Sequence, residues 1–377
     1  MKQYEEVFFG ALRTALFDRS LLLPEGFAQW KKVLKLARQQ ACSGLVGDTM
    51  LMIPQILDTL PSDISVPLQE MPLDMMARYA TANNALIVAV TALRKNGIDP
   101  VLLKGQGVSR YYPFPALREH GDIDLYVGVD NYEKAYDALL PVVTEIDARE
   151  ELQTQAKHFH AKIGSVAVEV HRYAAVFDLT RENALYQEYA RKGLTENLVP
   201  LDLGSIVVDT PAEDFNVYFV FNHLLHHFYS TGIGMRQLCD LTMLLHAKKG
   251  QYDVETLRQM LAGMDEMMPW QVFGCVIVDV LGLPEEEFPF YNPSMRRRAD
   301  RLLKSILMEG NFGHNTPYVL KPEWGFFRRK FESFRYSTTR ICRVALIFPK
   351  AMFFRFYFMI LRGVRVTFRE LATGQRN

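Results

Sequence analysis

Asp122 and Asp124 stand two residues apart in Asp122-Ile123-Asp124-Leu125-Tyr126-Val127, a stretch whose period-two alternation predicts a β-strand. Side chains at i and i+2 of a strand share a face, so the two carboxylates are held close together and repel each other. A hard divalent cation, magnesium or manganese, relieves that repulsion, takes oxygen ligands and keeps positions open for substrate phosphates. Glu169 supplies a third carboxylate. In residues 165–171, Val166, Val168 and Val170 alternate with Ala167, Glu169 and His171, so the apolar neighbours of Glu169 face the other way. Three carboxylates on neighbouring strands could hold two cations about 3.5–4 Å apart, which activate an attacking oxygen and stabilise a leaving pyrophosphate. A merely solvated strand edge is the plainer alternative for an Asp-x-Asp.

Upstream, Lys104-Gly105-Gln106 closes the short apolar run Pro100-Val101-Leu102-Leu103 and opens a helix predicted over 106–112. Glycine at such a junction lets the backbone approach a phosphate. A helix N-terminus offers free N–H groups to an anion, and Lys104 could add a point charge. A plain strand-to-helix turn with an exposed lysine is the alternative. Arg118, four residues before Asp122, could grip a phosphate bidentately or neutralise the acidic cluster from behind. His171, on the face of Glu169, could contact substrate, orient Glu169 or serve structure alone.

The other histidines give weaker signals. His158 and His160 flank Phe159, and with no cysteine or carboxylate near them in the sequence a metal role is disfavoured. His223, His226 and His227 lie on one predicted helix, and His223 and His227 have the i, i+4 spacing that can bind zinc. The glutamate of the zinc-protease motif is absent, so polar contacts between domains are the favoured reading. Arg236 and Asp240, also four apart, fit a helical ion pair better than a helix closing over a nucleotide. Tyr126, Tyr173 and Phe177 could stack on a base or belong to the core.

The elements that must position these residues fall into three blocks. Residues 1–97 read helical, with a long helix over 72–95 that follows a break at Pro61-Ser62-Asp63 and stops at Asn96-Gly97. Residues 98–210 form a mixed α/β unit that includes a short helix over 132–140. Residues 211–377 are helical again, with helices over 235–247 and 254–264. The expected fold class is α+β: a small mixed β-sheet flanked by N-terminal and C-terminal helical regions.

A chain of 377 residues is long enough for more than one domain, and 49% hydrophobic with 23% charged residues is ordinary globular composition. Net charge is zero, and the central block has no Lys/Arg run interleaved with aromatics, so no specific nucleic-acid partner is expected. Cys42, Cys239, Cys275 and Cys342 are scattered and form no CxxC pair, which argues against a zinc ribbon or a disulfide framework and fits a reducing compartment. The N-terminus lacks an apolar signal segment. The most apolar stretch, 341–360, is interrupted by Arg343, Pro349, Lys350 and Arg355, so it is not expected to span a membrane. The expectation is a cytoplasmic protein.

The tail is asymmetric in charge. Residues 328–369 hold eleven Lys and Arg against one acid, Glu332, a net +10. At helical spacing Arg355, Arg362, Arg365 and Arg369 form one stripe, and Phe353, Tyr357, Ile360, Leu361, Val364 and Phe368 fall broadly opposite. Such a helix can lie on an anionic membrane surface as a peripheral contact, or dock its apolar face on the protein's own core.

Taken together, Leu103-Lys104-Gly105, Tyr112-Pro113, Leu117-Arg118-x-x-Gly121-Asp122-Ile123-Asp124-Leu125 and Val168-Glu169-Val170-His171 resemble the uncharacterised nucleotidyltransferase family found in bacterial polysaccharide gene clusters. That family is similar to the DNA polymerase β-type nucleotidyltransferases. The resemblance extends more loosely to His226, Arg236 and Asp240. It implies that Asp122 and Asp124 bind metal, that Gly105, with Lys104 and Gln106 beside it, meets the nucleotide phosphates, and that Glu169 completes the carboxylate set. The implied partners are a nucleoside triphosphate and an unidentified acceptor, with magnesium or manganese as cofactor. Two departures stand out: the family's usual aspartate is Glu169 here, and the superfamily's Gly-Ser is Gly105-Gln106. They leave open a rival reading, a nucleotide-binding regulatory or scaffold protein with weakened chemistry.

Overall fold

The computed structural model describes residues 1–58, 60–154, 157–315 and 323–373, and the side chains at 55, 364 and 367–373 lie outside that description. The chain opens with helices because apolar residues recur at helical spacing. Phe8, Leu12 and Leu16 bury one face of α1 (Gln3–Phe17), and Trp30, Val33 and Ala37 do so on α2 (Trp30–Gln39). The helices α3 (Ser43–Leu51) and α4 (Pro54–Leu57) follow.

The long helix α5 runs over Ser62–Lys95, so it starts upstream of the predicted position 72 and carries Pro67 and Pro72 inside it. An interior proline costs about 3 kcal/mol through its missing N–H and its ring clash. The buried face that continues from Leu68 and Met75 through Ala82, Leu86 and Leu93 carries the helix across both prolines, which local breaker rules cannot register.

The sheet is built from β1 (Val101–Leu102), β2 (Ile123–Tyr126), β3 (Glu145–Ile146), β4 (His158–Ile163), β5 (Val166–His171), β6 (Val199–Asp202) and β7 (Val207–Thr210). Its spatial order is β3-β4-β5-β2-β1-β7-β6. The central pair, β2 and β5, is parallel, with Asp124 directly opposite Glu169. The strand β1 runs antiparallel to β2 and parallel to β7. The edge strands β3 and β6, and β7 beside β6, escaped the sequence reading: β3 is only two residues long, and Pro200, Asp202 and Asp209 break the apolar alternation of β6 and β7.

Between strands lie α6 (Gln106–Ser109), α7 (Tyr132–Leu139) and α8 (Thr180–Gly193). The chain then continues through α9 (Glu213–Ser230), α10 (Met235–Ala247), α11 (Val254–Gly263), α12 (Met267–Val276), α13 (Arg296–Glu309), α14 (Phe326–Ala345) and α15 (Pro349–Thr373). The fold is thus α+β, a mixed sheet with helices flanking it.

Apolar side chains gather in two clusters. Ile123, Leu125, Phe159, Val168 and Val170 cover one face of the sheet and pack with α7 and the C-terminal half of α5. The larger cluster joins Phe8 and Leu12 of α1 to Phe221, Trp270 and Phe273 of the C-terminal helices. The opposite face of β2 and β5 is left for polar groups.

The tail forms two packed helices. Val344, Ile347, Phe348 and Met352 anchor their junction in the larger core. Exposed apolar side chains remain on both helices: Phe353 is 70% and Tyr357 53% accessible on α15, and Phe327, Phe331 and Phe334 are exposed on α14. Val364, Phe368 and Arg369 of the expected stripes lie outside the described side chains. Among the described residues, no helix is long and apolar enough to cross a membrane.

Candidate active site

Parallel pairing of β2 with β5 puts Asp124 beside Glu169 on the polar face, and Asp122 enters the same face two residues earlier. Ligating oxygens of Asp122, Asp124 and Glu169 all lie within 4.8 Å of one another. Asp124 is buried, while Asp122 and Glu169 are half-buried.

Gly105 turns the chain out of β1 with φ 59° and ψ −114°, a conformation that L side chains rarely adopt. This turn delivers Lys104, whose Nζ lies 2.9 Å from Asp124 Oδ1 and 3.0 Å from His223 Nε2. The helix after it, α6, is shorter than the predicted 106–112. Tyr111 and Tyr112 donate instead to the carbonyls of Val108 and Ser109, the tighter i→i+3 pattern, as the chain turns toward Pro113. Gln106 is buried within α6.

His171 lies beneath the carboxylates. Its Nε2 is 3.0 Å from Asp124 Oδ1 and 3.3 Å from Glu169 Oε2, and it is 1% exposed. That position bridges two carboxylates and orients both.

His158 and His160 do have a carboxylate beside them, contrary to the sequence reading. The antiparallel β4–β5 register sets His160 opposite Glu169 and His158 opposite His171. His158 Nδ1 lies 3.6 Å from Glu169 Oε2, and His160 Nε2 lies 3.7 Å from Glu169 Oε1. Only strand pairing brings these groups together. His158, Glu169 and His171 form a second trio with metal-ligating spacing.

Ionisation follows from these contacts. Repulsion from Asp124, with burial, raises the Asp122 carboxyl above the usual range. Burial opposes ionisation of Asp124, but Lys104 and His171 outweigh it and hold that carboxyl well below the usual range. Partial burial likewise opposes ionisation of Glu169, yet its hydrogen bond to His171 brings it down to about 2. Burial disfavours the Lys104 ammonium, and Asp124, Asp122 and Glu169 together reverse that and raise it.

Arg118 sits on the wall of this cleft with its guanidinium committed. Its Nε and Nη2 donate to Asp240 Oδ1 and Oδ2 at 2.7 and 2.8 Å, and the Tyr112 hydroxyl donates to Asp240 Oδ1 at 2.7 Å. Asp240 is therefore not the partner of Arg236 expected from their i, i+4 spacing. Arg236 Nη1 donates to the Glu119 carbonyl at 2.8 Å instead. A planar bidentate partner from another element outcompetes a neighbour on the same helix. Phe177 packs edge-on against His226, away from the carboxylates.

Sequence reading did not place Lys157, His223 or His227 at this cleft. The i, i+4 spacing of His223 and His227 marked a shared helix face, but nothing local aimed that face at Lys104. Lys157, just before β4, carries no local signal. All three line the cleft, which encloses about 150 Å³.

Residues 27–265 match the family described as an uncharacterised nucleotidyltransferase. No curated protein and no solved structure matches the chain.

Proposed function

The chain belongs to that nucleotidyltransferase family, and from this premise we propose that it is a metal-dependent enzyme in which an acceptor oxygen attacks the α-phosphorus of a nucleoside triphosphate and pyrophosphate leaves. The observation that carries the proposal is the convergence of Asp122, Asp124 and Glu169 within 4.8 Å on one sheet face.

The residues fit a magnesium or manganese ion. The donors are all hard oxygens, and Asp122 and Asp124 repel each other strongly enough to raise Asp122, so bound positive charge relieves a strain already present. When bound, the ion supplies Lewis-acid charge for the α-phosphoryl and the leaving pyrophosphate. The remaining roles belong to the chain. His171 fixes the carboxylate rotamers of Asp124 and Glu169. Lys104, which now balances Asp124, is within reach of a triphosphate oxygen, and the Gly105 turn with Gln106 admits the phosphates. Arg118 we assign to positioning: it holds Asp240 and Tyr112, and so the cleft wall.

The extra methylene of Glu169 still leaves its oxygen within the carboxylate trio. That favours turnover over the rival reading of a nucleotide-binding regulator. Incubating the protein with each nucleoside triphosphate and magnesium or manganese, followed by mass spectrometry, tests the proposal. Release of pyrophosphate or a nucleotidylated product is expected, and tight nucleotide binding without any product would leave the regulator.

We further propose a cytoplasmic enzyme that touches anionic membrane through α14 and α15. The exposed Phe353 and Tyr357, flanked by arginines and lysines, support this.

A further inference from the structure

Building on the nucleotidyl-transfer reading, we propose that the acceptor is an anionic amphiphile, with a phosphate head placed at Lys157, His223 and His227 and an apolar chain lodged beneath α14 and α15. The cleft at the carboxylates, about 150 Å³, has room for a cation and phosphate groups but not for a second substrate of ordinary size, which needs roughly 300 Å³ or more. Beside it lies a cavity of about 1150 Å³. The two spaces share Lys157, His223 and His227 as walls, so a molecule in the large cavity can present one end to the carboxylates.

The chemistry of the large cavity is two-sided. Leu261, Met267, Met268, Phe348, Phe354 and Met359 form an apolar wall. Methionine side chains adapt to flexible apolar ligands.

Most charges around the cavity are already matched. Lys350 pairs with Asp265 at 2.6 Å, Arg340 with Glu309 at 3.0 Å, and Arg362 with Asp178. Glu266 accepts from Tyr218 and Asn222. Lys157 and Arg355 are different: both line the cavity, and neither has an ion-pair partner among the described residues. Lys157 stands at the junction, where burial and the nearby Lys104 disfavour its charge. The Nδ1 of His227, also at the junction, is buried and has no hydrogen-bond partner among the described residues. An unpaired ammonium and a buried imidazole nitrogen at the inner end of an apolar cavity, with the exposed Arg355 elsewhere on its wall, call for an anion attached to an apolar body.

The step balances. A phosphate oxygen of the acceptor forms a bond to the α-phosphorus, the bond from that phosphorus to the bridging oxygen breaks, and the electron pair leaves with pyrophosphate. A phosphate dianion has no proton to surrender, so the acceptor needs no general base.

Calorimetry on the full-length protein, with dodecyl phosphate kept below its micelle concentration, tests the inference. Dodecyl phosphate should bind at least tenfold more tightly than either inorganic phosphate or dodecyl maltoside, which has the chain without the anion. Lys157→Met should weaken it about tenfold, and so should Arg355→Glu, an exposed position where folding is not at risk. Ala351→Trp, which pushes a bulky ring in from the cavity wall, should weaken binding about tenfold. Equal affinity for dodecyl phosphate and inorganic phosphate overturns the proposal, and so does binding indifferent to both charge changes. A separate titration with magnesium nucleotide keeps the two readings apart. If that titration depends on Asp122 while dodecyl phosphate fails, the acceptor assignment alone falls; if it ignores Asp122, the nucleotidyl-transfer reading falls.

Discussion

Asp122 and Asp124 differ in what surrounds them, and their substitutions should differ accordingly. Asp124 is buried against Lys104 and His171, so Asp124→Asn leaves a buried ammonium unbalanced and should cost about 3–5 kcal/mol of stability. Asp122 is repelled by Asp124, and its carboxyl is raised, so its native-state contribution becomes unfavourable as pH rises through the ordinary carboxylate range. Asp122→Asn should therefore be neutral or stabilising at pH 7 while abolishing magnesium-nucleotide binding. Urea denaturation and calorimetry read the two effects separately; retention of nucleotide affinity in Asp122→Asn would remove it from the site. For Glu169, loss of charge in Glu169→Gln should lower kcat far more than nucleotide affinity, and Glu169→Asp should retain much of the rate. Equal rates for wild type and Glu169→Gln would make this carboxylate a bystander.

Among the elements, α10 is tied to the loop before β2 by the Arg118–Asp240 pair, both members of which are buried. Arg118→Met should destabilise the protein by about 3–5 kcal/mol by leaving Asp240 buried without its partner. Arg118→Lys should recover little, because an ammonium cannot make two parallel bonds to one carboxylate. Full recovery by lysine would mean that only charge matters there. At the tail, deleting α15 is a poor probe, because Met352 is buried in the main core. Phe353→Glu with Tyr357→Glu changes only the exposed face. This double variant should keep its melting temperature and lose co-sedimentation with phosphatidylserine vesicles, and the wild-type binding should weaken as salt is raised. Wild-type protein that ignores these vesicles at low salt would leave the helix pair without a membrane role.

For the whole molecule, Glu266 couples packing to pH. Burial raises its carboxyl from 4.5 to about 7, against the opposing hydrogen bonds from Tyr218 and Asn222. The unfolded chain releases this proton at lower pH than the folded one. Stability should therefore fall as pH rises from about 4.5 to 7 and stay reduced above that, by roughly 3 kcal/mol. Glu266→Gln keeps an acceptor for both neighbours and has no proton to lose. It should match wild type near pH 4 and exceed it near pH 8 in urea denaturation. Coincident stability curves at pH 8 would show that Glu266 ionises freely in the fold.

Local pattern was enough to place Asp124 and Glu169 on strands, with Asp122 just before the first residue of β2, and to separate the polar face of β5 from its apolar one, because strand alternation is a property of consecutive residues. It was also enough to mark Gly105 as a turn and to delimit α7, α10 and α11. It could not show that Asp124 lies opposite Glu169, since register across forty-odd residues depends on which strands pair. The same long-range pairing set His158 and His160 around Glu169, and helix packing carried His223 to Lys104 and Asp240 to Arg118. The run of α5 through Pro67 and Pro72 was decided by a buried face that extends over many turns, not by the local penalty. The large cavity exists only because α9, α11, α14 and α15, distant in sequence, close around one space, and no stretch of residues encodes such an enclosure by itself.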